Sequence, residues 1–201
     1  MAMRLCLLVA ALAGCHASRA TPTAGGLTVH LALAMASTDS DVAIASVALR
    51  LGQLVAVSDR SDDDARAALG EVELGLGDTR DVTLPTAPPG IYSAVDAELG
   101  SANDDGLDIE AVWNSLRVHA TLANAPFDVG CPTPASLDPG QRVALTFAAD
   151  PASWFGGIDL GSAVSDADDD GIVIADDDNH EMDQALLANV LGSFTLDCSI
   201  D

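Results

Sequence analysis

Val143-Ala144-Leu145-Thr146-Phe147-Ala148 alternates large apolar residues with small or polar ones, and a period of two is the signature of a strand with one buried face. The same pattern recurs upstream. Leu27, Val29, Leu31 and Leu33 interleave with Thr28, His30, Ala32 and Ala34, which places His30 on the polar face. Leu116, Val118, Ala120 and Leu122 likewise leave Arg117, His119 and Thr121 facing outward.

Shorter apolar runs fill the interval. Val42 to Arg50 and Leu54 to Val57 read as a hairpin joined around Gly52. Val72 to Leu76 and Val82 to Leu84 are strands separated by Gly77-Asp78, and the Pro-rich turn Pro85 to Gly90 leads into Ile91 to Leu99. Ile109 to Trp113 reads as a further strand, whereas Asn124 to Gly140 is loop-rich and holds Cys131. Turns at short, regular intervals and no βαβ rhythm predict a mainly β chain, an antiparallel β-sandwich.

Only the C-terminal region departs from this rhythm. Asp150-Pro151 is the cap and first position of a short helical turn through Phe155. Asp178 with Glu181 three residues on matches a capping box, and Met182, Leu186 and Val190, flanked by Leu187 and Leu191, recur at helical spacing before Gly192. One amphipathic helix packed on the sandwich is expected, followed by a last strand from Phe194 to Cys198.

The N-terminus has a different character. Arg4 precedes an apolar run from Leu5 to Ala13, the layout of a secretory signal, and the run is too short to span a hydrocarbon core of about 30 Å. Leu12-Ala13-Gly14-Cys15 resembles the lipobox of bacterial lipoproteins at all four positions. The resemblance implies cleavage before Cys15, a diacylglycerol thioether on its sulfur, and N-acylation of the freed amine. In that family an Asp after the cysteine retains the protein at the inner membrane; His16 stands here instead, so an outer-membrane anchor is expected. The organisation is then a signal peptide over 1–14, a flexible tether over 15–26 and one domain over 27–201.

Cysteine usage follows from this assignment. Cys6 leaves with the signal and Cys15 takes the lipid, so Cys131 and Cys198 remain as one pair in an oxidising compartment. The alternative for that pair, buried thiols or a soft metal site, lacks close C-x-x-C spacing.

Charge narrows the partners. Eight Lys and Arg stand against 31 Asp and Glu, a net charge of -23, which excludes the basic footprint that a nucleic acid requires. Such an excess repels itself and attracts cations. Hydrophobic residues make up 49% of the chain but aromatics only 3%, so Ala, Val and Leu must supply most of the core.

The sharpest chemical motif runs from Asp166 to Asp177. Asp166, Asp168 and Asp170 fill positions one, three and five of D-x-D-x-D-G, and Gly171 fills position six. Calcium takes six to eight oxygens, and Gly171 allows the turn that lets the three carboxylates converge. Ile172 would add a backbone carbonyl, Ile174 a bound water and Asp177 the closing carboxylate. Asp177 is shorter than the Glu that closes an EF-hand, and the incoming segment, with Gly156, Gly157 and Gly161, is a poor helix. The competing reading is a solvated acidic turn at a helix N-terminus, where the dipole favours carboxylates.

Weaker candidates are Asn103-Asp104-Asp105-Gly106-Leu107-Asp108, which reads better as a simple Asp-Gly turn, and the set His30, His119 and His180, none at ligand spacing from another. Trp113 and Trp154 read as core anchors. No nucleophile elbow, H-E-x-x-H or phosphate loop is present, so no enzyme is expected.

Pro89-Gly90-Ile91-Tyr92 entering a strand, the strand and turn from Leu116 to Phe127, and the Asp150 to Phe155 turn before a helix together resemble the MbnP-like group of secreted bacterial β-sandwich domains, over residues 27–197. The resemblance implies a periplasmic or surface domain, linked in some relatives to metal handling, and carries no catalytic residue. The expected function is a non-catalytic, calcium-stabilised binding or structural lipoprotein held by its lipid, with a protein, glycan or small-molecule ligand unspecified. The alternative is a periplasm-facing metal or small-molecule carrier.

Overall fold

The computed structural model describes residues 25–36, 41–59, 65–67, 72–101, 105–164, 171–175 and 179–198. The expected signal segment over 1–14, the expected lipid-bearing Cys15 and nearly all of the expected tether lie outside them. Among these residues the chain is mainly β, in two sheets, with a single α-helix.

The strands are β1 (Gly25–Leu33), β2 (Val42–Ser58), β3 (Ala65–Ala67), β4 (Val72–Leu74), β5 (Thr79–Ala87), β6 (Gly90–Leu99), β7 (Leu107–Trp113), β8 (Leu116–Leu122), β9 (Ala125–Leu137), β10 (Arg142–Ala149), β11 (Ile172–Ile174) and β12 (Phe194–Asp197). The helix α1 spans His180–Gly192. One sheet has the order β12-β10-β1-β5, and the larger has β11-β8-β7-β2-β6-β9, with β3 and β4 also on β2.

The alternating segments lie where their pattern places them. Leu27, Val29, Leu31 and Leu33, and opposite them Val143, Leu145, Phe147 and Ala149, are all buried. Buried residues of both sheets form one core. The pairing is a correction to the expected antiparallel arrangement: β1 runs parallel to β10, and β11 parallel to β8. Side-chain alternation specifies a face, not a neighbour or its direction, so nothing local announced either pair.

A second correction concerns Gly52, which turns no hairpin. β2 continues through it for 17 residues and exchanges partners on the way. Val42 to Leu49 pair with β7, and Leu51 to Ser58 pair with β6 across a register shift between Leu51 and Gln53. A Cβ at Gly52 would stand 2.2 Å from the Gly100 carbonyl oxygen; glycine here serves a bulge and close backbone approach.

A third is the segment expected to be loop-rich, Asn124 to Gly140, most of which forms the 13-residue β9, Ala125–Leu137. Pro126, Pro132 and Pro134 are tolerated because β9 lies at the end of its sheet, where a missing N–H breaks no inner ladder. β1 also begins at Gly25, two residues inside the expected tether, with Gly26 N donating to the Gln141 carbonyl at 3.0 Å.

Other local readings agree with the structure. Asp150 caps the 3₁₀ turn Pro151–Ser153 by accepting from Ala152 N at 3.0 Å. The helix buries Asp183, Leu186 and Val190, with Met182, Leu187 and Leu191 partly buried beside them. Its cap differs. Asp178 lies outside the described residues, and the position before the helix is Asn179, in the left-handed region at φ 58°, which Asn tolerates; its amide donates to the Val173 carbonyl.

Cys131 and Cys198 form the expected disulfide, with Cα atoms 5.7 Å apart. It joins β9 of the larger sheet to the residue after β12 of the smaller. Phe127, Phe147 and Phe194 span the same region, with ring centroids 4.7 to 6.0 Å apart, a spacing at which aromatic pairs attract.

Candidate metal centre

The β7–β8 hairpin turns through Asn114 and Ser115, both at positive φ (49° and 70°), as a two-residue type I′ loop requires. Such a turn sets the register of the pair. Trp113 faces Leu116, Glu110 faces His119 and Asp108 faces Thr121. Leu107, Ile109 and Ala111, with Val118, Ala120 and Leu122, point into the core, so Asp108, Glu110 and His119 emerge together on the outer face.

There the His119 Nε2 atom lies 3.5 Å from Asp108 Oδ1 and 4.0 Å from Glu110 Oε1. One ligand atom from each of the three falls within 4.8 Å of the others. The side chains are 38%, 41% and 50% exposed for His119, Asp108 and Glu110, so water reaches all three. The set offers one imidazole nitrogen and two carboxylates, donors that suit divalent transition ions; without an ion, the same atoms make a surface ion-pair cluster when His119 is protonated.

The sequence pointed elsewhere. Asp166, Asp168, Asp170 and Asp177 of the acidic motif lie outside the described residues. Ile172 and Ile174 are within them, on β11, with buried side chains and with Ile172 opposite Val118 and Ile174 opposite Ala120. Gly171 has φ 102°, and a Cβ there would meet the Arg117 carbonyl oxygen at 2.5 Å. β11 therefore joins the acidic segment to the strand that carries His119.

The three histidines go to three places. His30 on β1 pairs with Asp81, His180 on α1 lies 2.9 Å from the Gln184 amide nitrogen, and only His119 belongs to a ligand cluster among the described residues. Of the Asp-Gly segment, Asp108 is the member that joins the cluster, while the Asp105 carbonyl accepts from Arg50 at 3.3 Å. Trp154 is fully buried and Trp113 partly so.

Asp108 and Glu110 share a face in any strand, and so do His119 and Thr121. That signal was present. Their meeting required knowing that Asn114-Ser115 is a two-residue turn, because a one-residue difference in loop length would shift His119 along its partner.

Two surface clefts are formed by described residues. One of about 430 Å³ lies beside the start of α1, lined by Ile158, Asp159, Ser162, His180 and Met182 among others; Asp159 Oδ1 there already accepts from Gly161 N at 3.1 Å. The other, about 280 Å³, is bounded by Ile44, Trp113, Phe155 and Ile158 among others. Both lie beside the 3₁₀ turns, and the second reaches the buried Val42 and Leu160. No family model, curated protein or solved structure matches the chain.

Proposed function

We propose that the protein is a cell-envelope lipoprotein, anchored in the outer membrane through Cys15, whose body is a non-catalytic β-sandwich serving binding or structural ends. The observation that carries this reading is the Cys131–Cys198 disulfide. It uses the two cysteines that remain once Cys6 and Cys15 are assigned to the signal and the lipid, and stable disulfides belong to oxidising compartments.

Two features support the sandwich itself. The two sheets share one core, and the buried Tyr92 donates its hydroxyl to the Pro88 carbonyl at 2.7 Å, four residues upstream, a corner bond that sandwich domains use. No helix among the described residues is long and apolar enough to cross a membrane; membrane attachment in this reading rests on the lipid of Cys15. Several acyl chains at about 0.8 kcal/mol per buried methylene would hold it firmly.

The anchor is tested by acyl labelling and detergent-phase partitioning. Wild type is expected to be labelled and to enter the detergent phase, whereas Cys15→Ser stays aqueous and unlabelled. Equal behaviour of the two chains would remove the anchor.

Calcium is the second part of the proposal. Nine carboxylates between Asp166 and Asp183 repel one another, and an ion bound among them would relieve that repulsion. A ligand that binds only the native state stabilises it by about 2.7 kcal/mol at 100 times its Kd. Millimolar calcium is expected to raise the unfolding midpoint more than equal magnesium, which prefers small octahedral sites, and Asp168→Asn with Asp170→Asn should erase the difference. Calorimetry with no calcium preference in wild type would leave only an acidic helix cap.

A further inference from the structure

We infer that Asp108, Glu110 and His119 bind one divalent transition ion of the zinc class on the outer face of the β7–β8 hairpin. The inference is independent of the lipid anchor and of the calcium loop.

Chemistry selects the ion. Calcium takes oxygen ligands, six to eight of them, whereas an imidazole with two carboxylates is a set that zinc and its neighbours accept, with bonds of about 2.0–2.2 Å. Ligands on a tetrahedral or octahedral ion with such bonds sit roughly 3–3.5 Å apart. His119 Nε2 and Asp108 Oδ1 already have that separation, 3.5 Å. Glu110 Oε1 lies 4.0 Å from the same nitrogen and within 4.8 Å of the Asp108 ligand atom, so this half-exposed side chain has to draw closer to complete the set.

The framework holds the donors in place. Both strands are interior to the sheet, β7 between β2 and β8, and β8 between β7 and β11. Val118 and Ala120, on either side of His119, are fully buried, as are Leu107 and Ile109 on either side of Asp108. Donors on a rigid scaffold lose little freedom on binding. Three protein ligands leave at least one position to water, and the exposure of all three side chains opens that position to solvent. A net charge of -23 raises the local cation concentration further.

The competing account makes His119 only a counter-charge for Asp108 and Glu110. Full-length protein, metal-stripped in detergent and held in excess magnesium to occupy non-specific carboxylates, would be titrated with zinc and, as a spectroscopic substitute, cobalt(II). Wild type is expected to take up one zinc equivalent that displaces cobalt and shifts the His119 ring resonances. His119→Ala and Asp108→Asn should each weaken zinc binding at least tenfold, while Asp168→Asn with Asp170→Asn leaves it intact. Glu110→Gln provides a variant that keeps the imidazole, and metal-free melting curves separate loss of ligand from loss of fold. Zinc binding of wild-type strength in folded His119→Ala, or binding lost only in the Asp168/Asp170 variant, would overturn the site.

Discussion

Trp154→Ala is expected to lower the unfolding free energy by about 3–5 kcal/mol, the cost of truncating a large buried aromatic. Trp154 is fully buried and joins two elements that are distant in sequence. Its indole Nε1 donates to Ser193 Oγ at 2.8 Å, and Ser193 in turn donates to the Val190 carbonyl at 2.7 Å at the C-terminus of α1. Asn189 on the helix donates to the Trp154 and Gly156 carbonyls at 2.8 and 2.9 Å. The indole thus fills space between the 3₁₀ turn and the helix and completes a polar contact there.

With aromatics at 3% of the chain, few large neighbours can swing into the vacated volume, and the cost of a cavity rises as its walls fail to collapse. Typical domain stabilities are about 5–15 kcal/mol, so the variant should lose a large part of its margin. Denaturant titration with the disulfide intact provides the measurement. Trp113→Ala, at a partly buried position on the rim of a cleft, should cost less. Equal effects of the two, or a loss below about 1 kcal/mol at Trp154, would contradict the role assigned to it.

Removing the Cys131–Cys198 bridge is the second large effect. The two residues are 67 apart in sequence, and closing a loop of that length stabilises by roughly 4 kcal/mol when the gain is counted as unfolded-chain entropy. Alanine is the proper replacement, because Cys198 is only 5% exposed and a serine hydroxyl there would add a desolvation cost of its own. Reduced wild type and the double variant Cys131→Ala/Cys198→Ala should unfold at nearly the same denaturant concentration, well below the oxidised protein. The loss should be smaller than the entropy figure if the Phe127, Phe147 and Phe194 cluster keeps β9 near β12 in the unfolded ensemble. Oxidised and reduced midpoints that coincide would show that the bridge constrains nothing.

Much of the fold was legible because burial leaves a local imprint. Leu27 to Leu33 and Val143 to Phe147 announce which face is inside, and each of their large apolar residues is buried. The Asp150-Pro151 turn, the helix stripe around Leu186 and Val190, and the cystine each follow from chemistry within a few residues or from counting cysteines.

The relation between segments was settled elsewhere. A strand's alternation is the same whether its neighbour runs parallel or antiparallel, and so the β1–β10 pairing, between residues more than a hundred positions apart, had no local sign. Gly52 looks like a turn in sequence but lies within β2 at a register shift, where the Gly100 backbone comes too close for a Cβ. The prolines of β9 suit a strand only at a sheet edge, a position defined by all the other strands. Asp108, Glu110 and His119 are ordinary outward residues one at a time, and become a candidate metal centre through the register of the hairpin. Sequence alone determined which side of each segment meets the core, since a period of two encodes burial; which segments meet, and which donors converge, was decided by tertiary pairing, since backbone hydrogen bonds carry no side-chain identity.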